Sequence, residues 1–561
     1  MPNFLEEIFS QLQRSAGRVV LREIRGEHFV SFTGRELLDQ VQLVRSFLRG
    51  ARLQQGDRCA LFAANSMRWI AFDLALMAEG IIVVPLYSRQ APADLVAMLK
   101  DCQPRFVFAG DASLAESLAQ TWPAGSSPAP PRILFEEVLS KPASQPGLPD
   151  GPNPRSNADI VTIIYTSGTS GESKGVCLSF GNLTHMLACT NERLDQLMGR
   201  LLVTSREPDR VFHYLPFNFA ASWILVLSCL SRESVLTLST DLSRLADEIR
   251  LAAPNYFLNV PTLLERVRRG VGDALSKRNS LIRALFAKAG DAWQRQHVGR
   301  GRASDALWLA LGRSLIFRKI RERFGPHLRA LICGSAPLAP ETQQFFLMLG
   351  IPVLQGYGLT ETTGICTLDD PRRPVEPGCV GSAIAGIEMK IGDNEEILVR
   401  GPHIFHGYWN RPEETARVLT DGWFHTGDQG EVNVQGNWRI IGRIKNLIIL
   451  NSGHNIAPEP LEEKIVQLLP AAQQVVLVGN GRGYLCALVT GGVEPAAVES
   501  ALDAVNPSLP HYRQIRNFHL IHYPFTPENG LLTANGKLRR DAINERYAAE
   551  IDAMYDRNPS S

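Results

Sequence analysis

The chain has no C-x-x-C pair. Its nine cysteines form an odd set scattered through apolar or strand-like contexts such as DRCALF and YLCALV. This argues against a disulfide framework and for a reducing compartment. A surplus of either charge is missing too: 58 Lys and Arg face 57 Asp and Glu, a net charge of +1. That balance argues against a nucleic-acid partner held by a general basic field and leaves local patches open. The opening MPNFLEEIFSQLQRSAG has no apolar h-region and reads as a short amphipathic stretch, so no secretory signal is expected there. The longest uncharged run, 211–231, is interrupted by Pro216, Asn218 and serines, which predicts a buried helix and no transmembrane segment. The expectation is a cytoplasmic protein that touches membranes transiently if its substrate is oily. The oligomeric state stays open.

At 561 residues, with 45% hydrophobic and 20% charged residues, the chain has globular composition and exceeds one ordinary core. TGRELLDQVQLVRSFLRG places Leu37, Leu38, Val41, Val44 and Leu48 on one face, with Thr33 and Glu36 at capping-box spacing and Gly50 as a stop, predicting an amphipathic helix. RCALFAA, NSMRWIAFDLALMAEG and IIVVPLY read as strand, capped helix and strand; APADLVAMLKDC with RFVFAG repeats the pattern. The expected fold class is α/β, a large N-terminal domain (1–442) of α/β subdomains with parallel-rich sheets. APEPLEEKIVQLL, QQVVLVG, GYLCALVT and a charged helix from about Leu538 predict a small α+β C-terminal domain (443–561). Two stretches break the alternation. Residues 122–157, rich in Pro, Ser, Gly and Ala, read as a surface excursion. The basic stretch 267–313 reads as a solvated helical insertion rather than a nucleic-acid patch, because apolar residues recur in it at core spacing.

YTSGTSGESKGV (165–176) combines glycines, hydroxyl side chains and Lys174, the ingredients of an oxyanion cradle. Ser/Gly-rich stretches are usually flexible connectors. Here DIVTIIY leads in and VCLSF leads out, so the loop is expected to join two strands. A nucleotide-hydrolase P-loop needs Gly before its lysine and Ser or Thr after it; Ser173 and Gly175 fail both requirements, while phosphate chemistry survives.

Five further segments share this polar, glycine-bearing character: ICGSAPL (332–338), QGYGLTETTG (355–364), DGWFHTGDQGEV (421–432), GRIKNLI (442–448) and LTANGKLRRD (532–541). Singly, GSAP reads as a tight turn, YGLTETTG as a helix cap, HTGD as a hairpin turn and NGK as a type I′ turn. Their chemistry suggests more. Glu361 suits Mg²⁺, a hard cation. Asp428 can accept both hydroxyls of a ribose, Arg443 offers forked donors, and Lys537 a point charge on a flexible stem.

In this order the six segments resemble the acyl-adenylate-forming superfamily of AMP-binding enzymes, which includes acyl-CoA synthetases, adenylation domains and luciferases. Within it the chain looks closest to the long-chain fatty acyl branch, through LIFRKIRERFGPHLRALICGSAPLAPETQQFF, YLPFNFAASWILVLSCL and the basic insertion. The resemblance implies activation of a medium- or long-chain fatty acid by ATP to acyl-AMP, then transfer to the thiol of CoA. Its alternatives are delivery to the phosphopantetheine of an acyl carrier protein, or a non-catalytic acyl- or nucleotide-binding homologue. It implies ATP, Mg²⁺ and CoA as cofactors. Catalytic roles would fall to Lys537, Thr166 and Glu361, with Glu361 and Thr166 at the metal. The nucleotide would meet Thr166, Ser167, Gly168, Thr169, Ser170, Gly171 and Lys174, then Gly334, Ser335 and Ala336. Gly356, Tyr357, Gly358 and Thr360 would follow, with Asp428 and Arg443 at the ribose. The C-terminal domain would be mobile about a hinge at Lys445, and Phe217, Phe219 and Trp223 would flank the acyl pocket. Ser173 stands where that family loop commonly carries proline.

Overall fold

In the computed structural model, residues 3–123, 128–141, 149–167, 173–199, 207–533 and 536–556 are described. The predicted alternation builds two large sheets. In the first, Arg58–Phe62, Ile82–Leu86, Phe106–Ala109, Arg132–Leu134 and Ile160–Ser167 run parallel. Ser173–Ser179 and Gly407–Tyr408 extend it antiparallel. The second has a parallel centre of Val353–Tyr357, Ala330–Cys333, Tyr256–Asn259, Asp209–His213, Ser234–Leu238 and Val19–Arg25, with antiparallel strands at both edges. Such parallel strands need helical crossovers, and these cover the faces. Helix Met67–Glu79 is mostly apolar, with Arg68, Asp73 and Glu79 its charged positions, and is buried along almost its whole length. Ser66 caps it by accepting from the Trp69 N–H at 3.1 Å, and Gly80 ends it at φ 82°.

Helix Gly34–Gly50 carries the predicted capping box, with Glu36 accepting from the Thr33 N–H at 2.7 Å. It runs through Gly50 instead of stopping there, and the left-handed turn falls on Arg52. The uncharged run 211–231 is also not one helix. It begins inside strand Asp209–His213, breaks at Pro216, and resumes as the buried helix Ala220–Ser231. Within 122–157 the chain rejoins the sheet as edge strand Arg132–Leu134 and short helix Phe135–Leu139, which buries Phe135 and Val138. Elements this short leave too few residues for a periodicity to be read.

A five-stranded antiparallel sheet includes Trp423–Val432 and Trp438–Arg443. Beyond a 3₁₀ turn at Ile444–Asn446, strands Ala472–Val478, Leu485–Gly491 and Ile515–Ile521 form a three-stranded sheet. Its side chains alternate. Val475, Leu477, Ala487 and Val489 pack with Ile465 and Leu502, whereas Val476, Val478, Cys486 and Leu488 pack with Ile543 and Met554. The nine cysteines are free and buried. Among the described residues, no helix is long and apolar enough to cross a membrane.

Candidate active site

The central strands of both sheets end on one cavity of about 1180 Å³, closed from the far side by residues after Gly442. Crevices at the carboxyl ends of parallel strands are where open α/β sheets bind ligands. Thr166, Lys174, Gly334, Ser335, Ala336, Gly356, Tyr357, Gly358, Thr360, Glu361, Asp428, Arg443, Lys445 and Lys537 all line it. Six separately predicted segments therefore converge on one space. Thr166 and Lys174 face each other across the antiparallel pair Ile160–Ser167 and Ser173–Ser179, as two strands flanking a tight loop require. Gly168, Thr169, Ser170 and Gly171 lie outside the described residues, and Ser167 is described by its backbone alone, paired with Ser173.

Backbone geometry explains part of the motif chemistry. Ser335 follows the strand Ala330–Cys333 in a left-handed conformation, φ 77°, which is unusual for a residue with a Cβ and is the kind of strain that clusters at functional sites. At Gly358 a Cβ would meet the Gly364 carbonyl oxygen at 2.4 Å, so no larger residue fits. HTGD is not a hairpin turn. It lies inside strand Trp423–Val432, where the pairing with Glu396–Arg400 shifts register and Gly427 takes φ 67°. This bulge aims Asp428 into the cavity.

Asp428 is buried and held from two sides. Arg443 Nε donates to its Oδ1 at 2.8 Å, and the Tyr357 hydroxyl donates to its Oδ2 at 2.8 Å. Burial first, then the Asp428 charge, raises the Tyr357 pKa, so the phenol stays a donor. Burial pulls the Arg443 pKa down, but the charges of Asp428 and Glu361 outweigh it and the net shift is upward. Lys537 lines the cavity with its side chain open to solvent. Desolvation by the walls around it, followed by the Arg443 charge, holds its pKa below the ordinary lysine value against the pull of Asp428 and Glu361. Lys445 is lowered to about 8, by burial and then by Arg443.

The predicted phosphate lysine has a partner that sequence reasoning missed. Lys174 Nζ forms an ion pair with Glu414 and lies 5.2 Å from the Tyr408 ring centroid. The Tyr408 hydroxyl in turn donates to Glu361 Oε1 at 2.9 Å. Glu414 sits in the first turn of helix Pro412–Val418, where an acid reads as a helix-dipole partner, and that ordinary role hides this one. Glu361 and Thr166 both present oxygen donors to the cavity, the type Mg²⁺ takes. Among the described residues no three acidic, His or Cys side chains form a protein-only cage. The donor set fits Mg²⁺, which keeps several waters and is held by one or two carboxylates together with phosphate.

An apolar arm of the cavity passes Leu194 of helix Phe180–Met198, and Ala221, Ile224 and Leu225 of helix Ala220–Ser231. Phe219 lines the cavity as expected, but Phe217 and Trp223 do not. Phe217 packs 5.0 Å from the Trp69 ring, and Trp223 turns into the core, donating from Nε1 to Asp73 Oδ2 at 2.7 Å. On helix Ala220–Ser231 the cavity takes the face of Ala221, Ile224 and Leu225, and the core takes Trp223.

The chain matches two family models, one described as AMP-binding enzyme over residues 8–409 and one as AMP-binding enzyme C-terminal domain over 445–559. It is 27% identical to a long-chain-fatty-acid–CoA ligase of Mycobacterium tuberculosis, covering 99% of this chain and 97% of the relative. It is 30% identical to a long chain acyl-CoA synthetase of Arabidopsis thaliana, covering 93% and 87%. Among solved structures it shares its fold with ATP-bound MatB of Rhodopseudomonas palustris (TM-score 0.71, 22% identity, covering 97% and 99%). It likewise matches the o-succinylbenzoate CoA synthetase of Bacillus subtilis with its acyl-adenylate (TM-score 0.73, 20% identity, 97% and 98%). With both family models matched in order and the motif residues gathered on one cavity, the chain belongs to the AMP-binding enzyme family.

Proposed function

We propose that this protein activates a medium- or long-chain fatty acid with ATP, forming acyl-AMP and pyrophosphate, and then passes the acyl group to the thiol of CoA. The observation that carries this reading is the junction, in one cavity, of a polar end bearing Asp428, Arg443, Glu361 and Lys537 with the apolar arm at Leu194, Ile224 and Leu225. The named ligases and synthetases among its relatives support it.

A carboxylate resists attack, so its oxygen must first displace pyrophosphate from the α-phosphorus of ATP. Negative charge then builds on the transferring and leaving oxygens, where placed cations lower the barrier. Asp428 and Arg443 would grip the ribose, with Tyr357 and the 334–336 turn beside the adenine. Lys537 would meet the charge at the reacting phosphate. Mg²⁺, held by Glu361 and Thr166, would supply charge neutralisation to the phosphates. Residues 443–561 would then rotate as a domain about Lys445 in the 3₁₀ turn, withdrawing Lys537 and admitting the thiol. The thiol sulfur attacks the acyl carbon, AMP leaves with the bonding electrons, and the thiol proton goes to solvent.

A pyrophosphate-release screen over carboxylic acids, with products weighed after adding CoA, holo-carrier protein or no thiol, tests the reading. Acid-dependent pyrophosphate followed by acyl-CoA is expected. An acyl-AMP that accumulates despite CoA, or is consumed by the carrier alone, would replace CoA as acceptor, and no acid-dependent pyrophosphate would overturn the reaction.

A further inference from the structure

Between strands Tyr256–Asn259 and Ala330–Cys333 the chain makes a long helical crossover. It comprises Pro261–Ser276, Ser280–His297 and Asp305–Gly312, the last continuing through a π-helical stretch Arg313–Phe317 into Arg318–Arg321. The second and last of these lie side by side. Phe286 meets Phe317 edge-on at 5.9 Å, Arg295 pairs with Asp305, and Lys288 Nζ stands 4.3 Å from the Trp308 ring centroid. Their inner side is an ordinary core face: Ala289, Ile316 and Phe317 pack with Phe257 and Leu331 of the sheet.

The outer side is not ordinary. Leu307, Leu311 and Leu315, spaced four apart on one helical face, are 60%, 37% and 53% exposed, with Ala306, Ala310 and Ser314 exposed between them. Leu281 on the neighbouring helix is 78% exposed, and it shares a face with Lys288, which reaches across to Trp308. The core-like apolar spacing read from the sequence therefore belongs to two faces, one of them uncovered. Charge is concentrated here as well. Residues 277–323 hold twelve Lys and Arg against three Asp and Glu, in a chain whose net charge is +1. Two of those three acids, Asp305 and Glu322, are committed to Arg295 and Arg318. Arg278, Arg283, Arg313, Lys319 and Arg321 stay exposed around the leucines.

We propose that this face docks the protein peripherally onto an anionic lipid bilayer. A leucine stripe rimmed by Lys and Arg is the composition of a helix that lies in the membrane interface, with apolar side chains entering the headgroup boundary and cations meeting anionic lipid. Nucleic acid would use the cations and leave the leucines in water. The strands that carry these helices on one face end, at Leu258 and Ile332, on the cavity wall, so docking sets the bilayer one protein layer from the site. Bilayer binding by this face does not depend on the proposed reaction.

The full chain is sedimented with vesicles of phosphatidylcholine, or of phosphatidylcholine mixed with phosphatidylglycerol. The unsubstituted protein is expected to bind the anionic vesicles, to ignore phosphatidylcholine alone, and to dissociate as salt rises. Both Leu307→Gln/Leu311→Gln/Leu315→Gln and Arg313→Gln/Lys319→Gln should weaken binding at least about tenfold. Circular dichroism and pyrophosphate release with a short, water-soluble acid should be unchanged in both, which separates docking from folding and from chemistry. No vesicle binding, or binding indifferent to the leucine substitutions, overturns the proposal. So does a vesicle-free shift from dimer to monomer in the leucine variant, since a second copy would then be the occupant.

Discussion

Of the cations lining the cavity, Lys174 is paired with Glu414, Arg443 with Asp428, Arg482 with Asp552, Arg539 with Asp94 and Arg540 with Glu462. Among the described residues, Lys537 and Lys445 have no such pair. Replacing Lys537 with alanine therefore removes a charge that nothing else in the site neutralises, and leaves Glu361 and Asp428 facing the developing phosphate charge. Loss of one placed electrostatic partner of a transition state costs about 2.7–4 kcal/mol, roughly a hundred- to a thousandfold in rate. Pyrophosphate release should fall by that factor, whereas thiolation of supplied acyl-AMP should fall less than about tenfold, because the proposed mechanism uses the lysine in the first step alone. The pH profile gives a second check. Since burial and then the Arg443 charge hold the Lys537 pKa below the ordinary 10.5, the ammonium is lost at lower pH than that of a free lysine. Adenylation should thus decline with rising pH before thiolation does, and Lys537→Arg should push that decline upward. Equal losses in the two half-reactions, or an unmoved alkaline limb in the arginine variant, would refute the reasoning.

Asp428→Asn leaves shape in place and removes the charge that Arg443 and Tyr357 address. The loss of charge-assisted hydrogen bonds, about 1.5–3 kcal/mol, should raise the KM for ATP by roughly ten- to a hundredfold, and an unchanged KM would exclude Asp428 from the ribose site. Ile224→Trp should block the apolar arm. With each buried CH₂ worth about 0.8 kcal/mol, kcat/KM from hexanoate to palmitate should rise steeply in the unsubstituted enzyme and level off early in the variant; parallel series would place the alkyl chain elsewhere. Asp73 lies in the core with Oδ1 unpartnered, and burial raises its pKa to about 7 despite the bond from Trp223. A raised carboxyl pKa favours the folded state below the unfolded value near 4, and that advantage is lost as pH climbs through about 7. Asp73→Asn should flatten the fall in denaturation midpoint between those limits, and a fall of the same size in both proteins would show that another group causes it.

The parts of this molecule that could be read from its sequence are those in which one residue type does one local job. Thr33 and Glu36 cap a helix because they stand three positions apart, and Met67–Glu79 is a buried helix because ten of its thirteen residues are apolar. The strand–helix alternation that gives parallel sheets is equally local. What stayed hidden depends on direction. Trp223 and Ile224 are neighbours in an unbroken apolar run, yet the first turns to Asp73 and the second to the cavity. Leu309 and Leu311 part in the same way, toward core and solvent. Composition cannot tell these destinations apart, since apolar periodicity reports that a face exists and not what lies against it.

Charge pairing is hidden for the same reason, and here the consequence is chemical. A cavity with seven lining cations looks from its sequence like a uniformly basic site, but among the described residues folding brings an acid to five of them and to neither Lys445 nor Lys537. Those two also share a field: Lys537 is among the charges that lower Lys445. Two unpaired ammonium groups in one enclosure repel, so the arrangement with residues 443–561 closed over the cavity carries a cost that an anion between the lysines would remove. Polyphosphate is such an anion. ATP would then favour the closed arrangement by screening Lys445 from Lys537, and loss of pyrophosphate would restore the repulsion at the point where the proposed rotation of residues 443–561 begins. Protease protection of the 442–446 turn should then increase with ATP and return to its unliganded level once pyrophosphate has left, while Lys537→Ala should protect the turn without any nucleotide. An alanine variant cut as fast as the unsubstituted chain would break the argument at its electrostatic step.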